Sequence, residues 1–202
     1  MEEYTSGNRV ALRGAVAEAP RFSHESRGET FFTFPLEVRR LSGAVDRLNV
    51  LARESALRQT ELTDGSSLAV EGELRSFNNR SGVGSRLVIS VFARVLRIED
   101  GEDRNEVFLC GTLCKRPNLR QTPLGREICD LMLAVNRRYG RSDYLPCIAW
   151  GLLARETADW QVGDRLELRG RIQSRKYVKL LGTEQVEKTA YEVSVAEAER
   201  ID

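Results

Sequence analysis

Four aromatic side chains set among arginines are the residues of this 202-residue chain best suited to chemistry: Tyr139, Tyr144, Trp150 and Tyr177. Around them stand Arg120, Arg137, Arg138, Arg141, Arg175 and Lys176. A π-face accepts a flat unsaturated ring, and a guanidinium forks onto an oxyanion or stacks in its turn. From Lys115 to Arg141 seven basic residues face Glu127 and Asp130, a local net charge of +5. From Arg169 to Lys179 there are five basic residues and no acid. The chain as a whole carries only +1, so the basic character is local. Of its 31 basic residues 27 are arginine, which codon usage in a GC-rich genome explains as readily as function does.

Stacking faces beside a cationic track are what a protein needs to hold single-stranded nucleic acid without reading its sequence. Each residue also has a plainer reading. Trp150 ends the apolar run Cys147-Ile148-Ala149 and fits either a stacking position or the core, and Trp160 closes a helical stretch as a core residue. Other chemistry lacks its parts. The sole histidine, His24, has no partnered nucleophile. The cysteines, Cys110, Cys114, Cys129 and Cys147, form no CxxC pair. No Gly-rich phosphate loop occurs, and Gly82-Val83-Gly84 reads as a hairpin tip. Catalytic residues, a metal site and a cofactor are therefore not expected.

The elements that must position these residues are written twice. Asn8-Arg9-Val10-Ala11-Leu12-Arg13-Gly14 returns as Asn105-Glu106-Val107-Phe108-Leu109-Cys110-Gly111, and Pro20 as Pro117. The offset of 97 holds for Gly28/Gly125, Leu36/Leu133, Val38/Val135, Asp46/Asp143 and Ala52/Ala149. It becomes 98 for Gly65/Gly163, Gly72/Gly170 and Ser76/Ser174. A repeat this long is a duplicated domain rather than a solenoid unit. The expected division is a first domain at 1–100, a polar linker at 101–104 and a second domain at 105–202. Alternation of apolar and polar residues predicts strands at 8–18, 29–40, 46–52, 66–76 and 86–97, with a helix at 54–62. The second copy gives 105–114, 126–136, 144–150, a helix at 151–160, then 164–174 and 189–197. Five strands with a helix between the third and fourth is the order of the OB-fold, so the fold class expected is all-β with short helices, as two tandem OB-fold barrels.

The second copy is more specific. Asn105-x-Val107-x-Leu109-x-Gly111-x-Leu113, Pro117-x-x-Arg120-x-Thr122-x-x-Gly125 and Leu133-Ala134-Val135-Asn136-Arg137 resemble the bacterial single-stranded DNA-binding protein family. So do Asp143-Tyr144, Trp150-Gly151-x-x-Ala154-Arg155 and Gly170-Arg171-Ile172-Gln173-Ser174-Arg175-Lys176-Tyr177. The resemblance spans 105–195 and leaves only the framework in the first copy. It implies that Tyr139, Tyr144, Trp150 and Tyr177 match base-stacking positions. It also implies a role in replication, recombination or repair, with single-stranded DNA as partner. Family assemblies hold four OB-folds, which a homodimer of this chain would supply. Family members carry a flexible acidic-tipped tail that recruits enzymes; the last expected strand runs almost to Asp202, so such recruitment is not expected. The acidic start, Met1-Glu2-Glu3-Tyr4, and the lack of any long apolar segment predict a cytoplasmic protein without a membrane span.

The copies differ where the chemistry sits. Tyr139, Tyr144, Trp150 and Tyr177 become Ser42, Arg47, Arg53 and Asn79. Residues 13–47 carry six arginines against five acids. The second domain is therefore expected to be the main binder, with the first as scaffold, oligomerisation surface or a weak auxiliary groove that meets phosphates through Arg39, Arg40, Arg47 and Arg53. There Phe32 and Phe34 pack a core or dock a partner. The rival reading is an OB-fold module of primosome or mobile-element type that chiefly docks proteins.

Overall fold

Alternating apolar residues dictate the strands. In β1 (Asn8–Val16), Val10, Leu12 and Val16 are buried while Arg9 and Ala15 face water. A computed structural model describes residues 7–60, 62–78, 87–137, 140–181 and 184–201. After β1 the first repeat adds β2 (Arg21–Ser26), β3 (Glu29–Arg39), β4 (Val45–Arg53), the single-turn helix α1 (Glu54–Leu57), β5 (Ser67–Asn78) and β6 (Leu87–Ile98). The second repeats the order: β7 (Arg104–Leu113), β8 (Asn118–Gln121), β9 (Glu127–Asn136), β10 (Ser142–Trp150), α2 (Gly151–Ala158), β11 (Arg165–Leu181) and β12 (Glu184–Ile201).

Within the first repeat the strands run β2-β3-β4-β6-β5-β1, and pairing of Ala15 with Glu37 and Val16 with Leu36 returns β1 to β3. Within the second they run β7-β11-β12-β10-β9-β8, and Thr112 with Ala134 and Leu113 with Leu133 return β7 to β9. Each repeat therefore makes a closed OB-fold barrel. The parallel contacts are equivalent, Val50 with Val91 and Cys147 with Val193. The inner faces hold Leu12, Phe34, Leu36, Leu48, Leu68 and Leu74 in one barrel, and Leu109, Leu113, Ile128, Leu133, Leu145 and Leu166 in the other. Each such side chain contributes about 1.5–3 kcal/mol by leaving water.

The structure departs from the expected elements at three places. β2 and β8 are added strands that lie between the first and second expected strands of each copy. Every residue of both is exposed, so neither carries the alternation that marks a half-buried strand. The first helix is one turn with no buried residue, not nine residues. β11 and β12 run past the barrel as a long hairpin instead of ending near 174 and starting near 189.

Spatial clustering divides the chain into two units: 10–105 with 173–191, and 1–9 with 106–172 and 192–202. The outer part of the β11–β12 hairpin thus belongs with the first repeat. Asp46, fully buried, explains the attachment. It accepts from Arg40 Nε at 2.7 Å, Arg40 Nη2 at 2.5 Å, the Ser174 backbone N–H at 2.8 Å and the Ser174 hydroxyl at 3.3 Å. The same lock recurs in the second repeat, where buried Asp143 accepts from Arg137 Nε at 2.7 Å and from its Nη2. No helix among the described residues is long and apolar enough to cross a membrane.

Candidate nucleic-acid interface

In the unit holding 106–172, β10 supplies the platform. Leu145 and Cys147 turn into the barrel, so Tyr144, Pro146 and Trp150 lie on the opposite face. Tyr144 is 50% exposed, a large apolar ring kept in water, and pairs across the ladder with Ala134 of β9. Trp150 lies six residues on, about 20 Å along the strand. It is half-buried and outside the core, with its indole N–H donating to Ser194 Oγ at 3.1 Å. That bond holds the ring by its N–H edge, and the residue borders a cavity of about 540 Å³ lined also by Gln121, Arg126, Glu127 and Arg155 among others. Trp160 is a core residue, 7% exposed.

The expected cations divide by partner. Arg120 on β8 forks onto Asp130 of β9, at 2.5 and 3.0 Å, and both stay substantially exposed. Water and salt weaken such a pair, so the guanidinium can exchange Asp130 for a phosphate. Arg137 is held by buried Asp143 at the β9–β10 turn. Arg141 is exposed on that turn, where its carbonyl accepts from the Arg137 N–H at 2.6 Å. Arg138 and Tyr139 lie outside the described residues. Arg126 and Arg155, which the expected set omits, flank Trp150; Arg155 Nε donates to Glu127 at 2.5 Å.

In the unit holding 10–105, the hairpin residues carry the remaining expected set. Tyr177 is half-buried, with the Arg175 guanidinium 5.7 Å from its ring centre. Lys176 Nζ meets Glu187 at 2.9 Å. Tyr191, also half-buried here, has its phenol pushed up by burial against the opposing pull of Arg47. At the counterpart of Tyr144, Arg47 pairs with Glu18 and, at 2.9 Å, with Glu37. At the counterpart of Trp150, Arg53 lies on the rings of Phe31 and Phe92 and donates to Glu29 at 2.8 Å. Of the Phe31-Phe32-x-Phe34 group, Phe31 and Phe34 are buried. Phe32 is half-buried and meets Phe22 of β2 edge to face at 6.3 Å. His24 lies on β2, stacked on Phe31 at 4.8 Å.

The Arg53–Phe92 pair is the feature that sequence comparison missed. Its signal lies in the ladder register, since an insertion in the β11–β12 hairpin shifts the offset along the last strand. Among the described residues no three His, Cys, Asp or Glu side chains gather to hold a metal ion.

Known proteins agree with this architecture. Residues 104–201 match the model of the single-strand binding protein family. The single-stranded DNA-binding protein of Thermus thermophilus is 32% identical over 195 residues, covering 82% of this chain and 73% of the relative. Single-stranded DNA-binding protein B of Bacillus subtilis is 39% identical over 80 residues, covering 36% of this chain and 71% of the relative. The crystal structure of the wild-type single-stranded DNA-binding protein from Thermus aquaticus superposes with a TM-score of 0.78 at 24% identity, covering 96% of this chain and 93% of that one, a likeness of fold. With a relative of that identity spanning both repeats, the chain belongs to the single-strand binding protein family.

Proposed function

We propose that this chain binds single-stranded DNA without reading sequence and protects it during replication, recombination or repair. In this reading the second barrel is the principal binder. Bases stack on Tyr144 and Trp150, and phosphates are held by Arg120 and Arg141, with Arg126 and Arg155 beside the Trp150 cavity. The observation that carries the proposal is the half-exposed Tyr144 ring on the β10 face that also holds Trp150, in a fold shared with a family of this function. A solvent-facing tyrosine costs apolar exposure and adds nothing to the core. The hairpin residues Arg175, Lys176 and Tyr177 extend the same chemistry, and Arg137 supports it through Asp143. Two copies of the chain would supply four barrels.

The test uses the full chain, because residues 173–191 cluster with the first repeat and separated halves would each lack part of a unit. Oligo-dT is titrated against wild type, Tyr144→Ala and Trp150→Ala over a range of salt. Each substitution should weaken binding by about 1–3 kcal/mol while leaving the salt slope unchanged, since a stacked base releases no counterion. Wild-type affinity in both variants would refute the assignment, and salt-insensitive binding would favour a protein-docking role.

A further inference from the structure

Ladder register equates Phe92 with Ser194. Leu51 pairs with Phe92 in the first barrel and Ile148 with Ser194 in the second, and Leu51 and Ile148 are counterparts at the offset of 97. The close backbone approaches agree. A Cβ on Gly72 would lie 2.1 Å from the Phe92 carbonyl oxygen, and one on Gly170 would lie 2.1 Å from that of Ser194. The offset along the last strand is therefore 102. Four counterparts have changed together: Trp150, Gln173, Ser194 and Ala196 in the second copy are Arg53, Arg75, Phe92 and Arg94 in the first.

The exchange inverts the chemistry of the platform. In the second barrel an indole is tethered to a small hydroxyl side chain. In the first, a ring that is 9% exposed lies beneath guanidiniums: Arg53 and Arg94 each 5.0 Å from its centre and Arg75 at 5.7 Å. Three cations gather here against Glu73, which pairs with Arg75 and Arg94, and Glu29, which pairs with Arg53. The second barrel folds with uncharged residues at all three of these positions, so the framework does not require the charges. Stacking on a ring uses the face of a guanidinium and none of its N–H donors, and it orders a long side chain before any ligand arrives. Arg94 remains 46% exposed and Arg53 33%. Elsewhere in the first barrel, Arg40 is held in the Asp46 lock and Arg47 pairs with Glu18 and Glu37.

We propose that Arg53 and Arg94, ordered on Phe92, form a phosphate-binding point of the first barrel, taking the DNA backbone at the position where the second barrel takes a base. The proposal rests on the reading that the chain binds single strands. It assigns different work to the two barrels at this one position: the second stacks a base there and the first holds a phosphate.

The experiment compares oligo-dT with an abasic deoxyribose-phosphate oligomer of the same length, on the full chain, across about 0.1–0.4 M salt. Each phosphate held on a single strand contributes about 0.7 to the slope of log affinity against log salt, or about fivefold in affinity at 0.1 M. Arg53→Ala/Arg94→Ala should therefore lower the slope by about 1.4 and the affinity by about 25-fold, on both oligomers alike. Trp150→Ala should weaken only oligo-dT. Arg53→Lys/Arg94→Lys should keep the wild-type slope, because the charge is retained. If circular dichroism shows the alanine pair unfolded, Arg53→Gln/Arg94→Gln replaces it with the same expectation. An unchanged slope in the neutral pair, a loss confined to oligo-dT, or a lysine pair that behaves like the neutral one would overturn the proposal. A wild-type chain that bound neither oligomer would instead overturn the functional reading beneath it.

Discussion

Replacing Asp46 by alanine should be among the most damaging single changes to this protein. The carboxylate is fully buried and accepts four hydrogen bonds, two from Arg40 and two from Ser174. Alanine leaves the Ser174 N–H without this acceptor, a cost of about 1–3 kcal/mol, and strips the Arg40 guanidinium of its buried counter-charge. Breaking a buried pair on one side costs about 3–5 kcal/mol. These terms overlap, and Arg40 retains 25% exposure through which water solvates it, so a total near 3–4 kcal/mol is expected. At about 4 °C per kcal/mol, the thermal midpoint of the unit should fall by roughly 12–16 °C. Asp46→Asn, which keeps an acceptor but loses the charge, should cost about half as much. Calorimetry of the full chain measures the midpoint, and hydrogen exchange at the Ser174 amide reports whether the hairpin has loosened. A loss below about 1 kcal/mol with unchanged Ser174 exchange would refute the reasoning, because the lock would then be dispensable.

Other expectations concern the framework and the surface. Gly170→Ala would drive a Cβ to 2.1 Å from a backbone carbonyl oxygen, so it should cost more than about 3 kcal/mol in urea melts. Gly125→Ala meets open space and suffers only its positive φ, about 1–2 kcal/mol. Arg120→Ala removes an exposed pair and should change stability by less than about 1 kcal/mol, while lowering the salt slope for oligo-dT by about 0.7. Burial pushes the thiols of Cys129 and Cys147 up, so in the native protein at pH 8 neither should react with a disulfide reagent until guanidinium is added. Their linkage to stability has a defined sign. The unfolded thiols ionise from about pH 8.5 while the folded ones hold their protons, so stability should be constant below that pH and fall above it.

Much of this was legible because the framework is written twice and each repeated residue has a structural cause. Gly72 and Gly170 recur because a second strand passes where a side chain would stand. Asp46 and Asp143 recur because each buried carboxylate locks an arginine across the same turn. That lock also explains why Arg137 reads as a surface cation in the sequence and not in the fold: a partner six residues on cannot be recognised without the turn. β2 and β8 stayed hidden because fully exposed edge strands bury nothing, so no period marks them. The platform exchange stayed hidden because the insertion in the hairpin moved the last strand out of the register in which the copies were compared. Phe92 then had no visible counterpart, so the gathering of Arg53, Arg75 and Arg94 about its ring had no mark in the sequence.

The division of labour between barrels stands most directly on Trp150. In a Trp160→Phe background Trp150 is the sole tryptophan, half-buried beside the candidate groove. Titration with oligo-dT should quench its fluorescence saturably, and the abasic oligomer should bind without comparable quenching. A chain that bound oligo-dT in a salt-sensitive manner while Trp150 emission stayed unchanged would contradict base stacking on the second barrel.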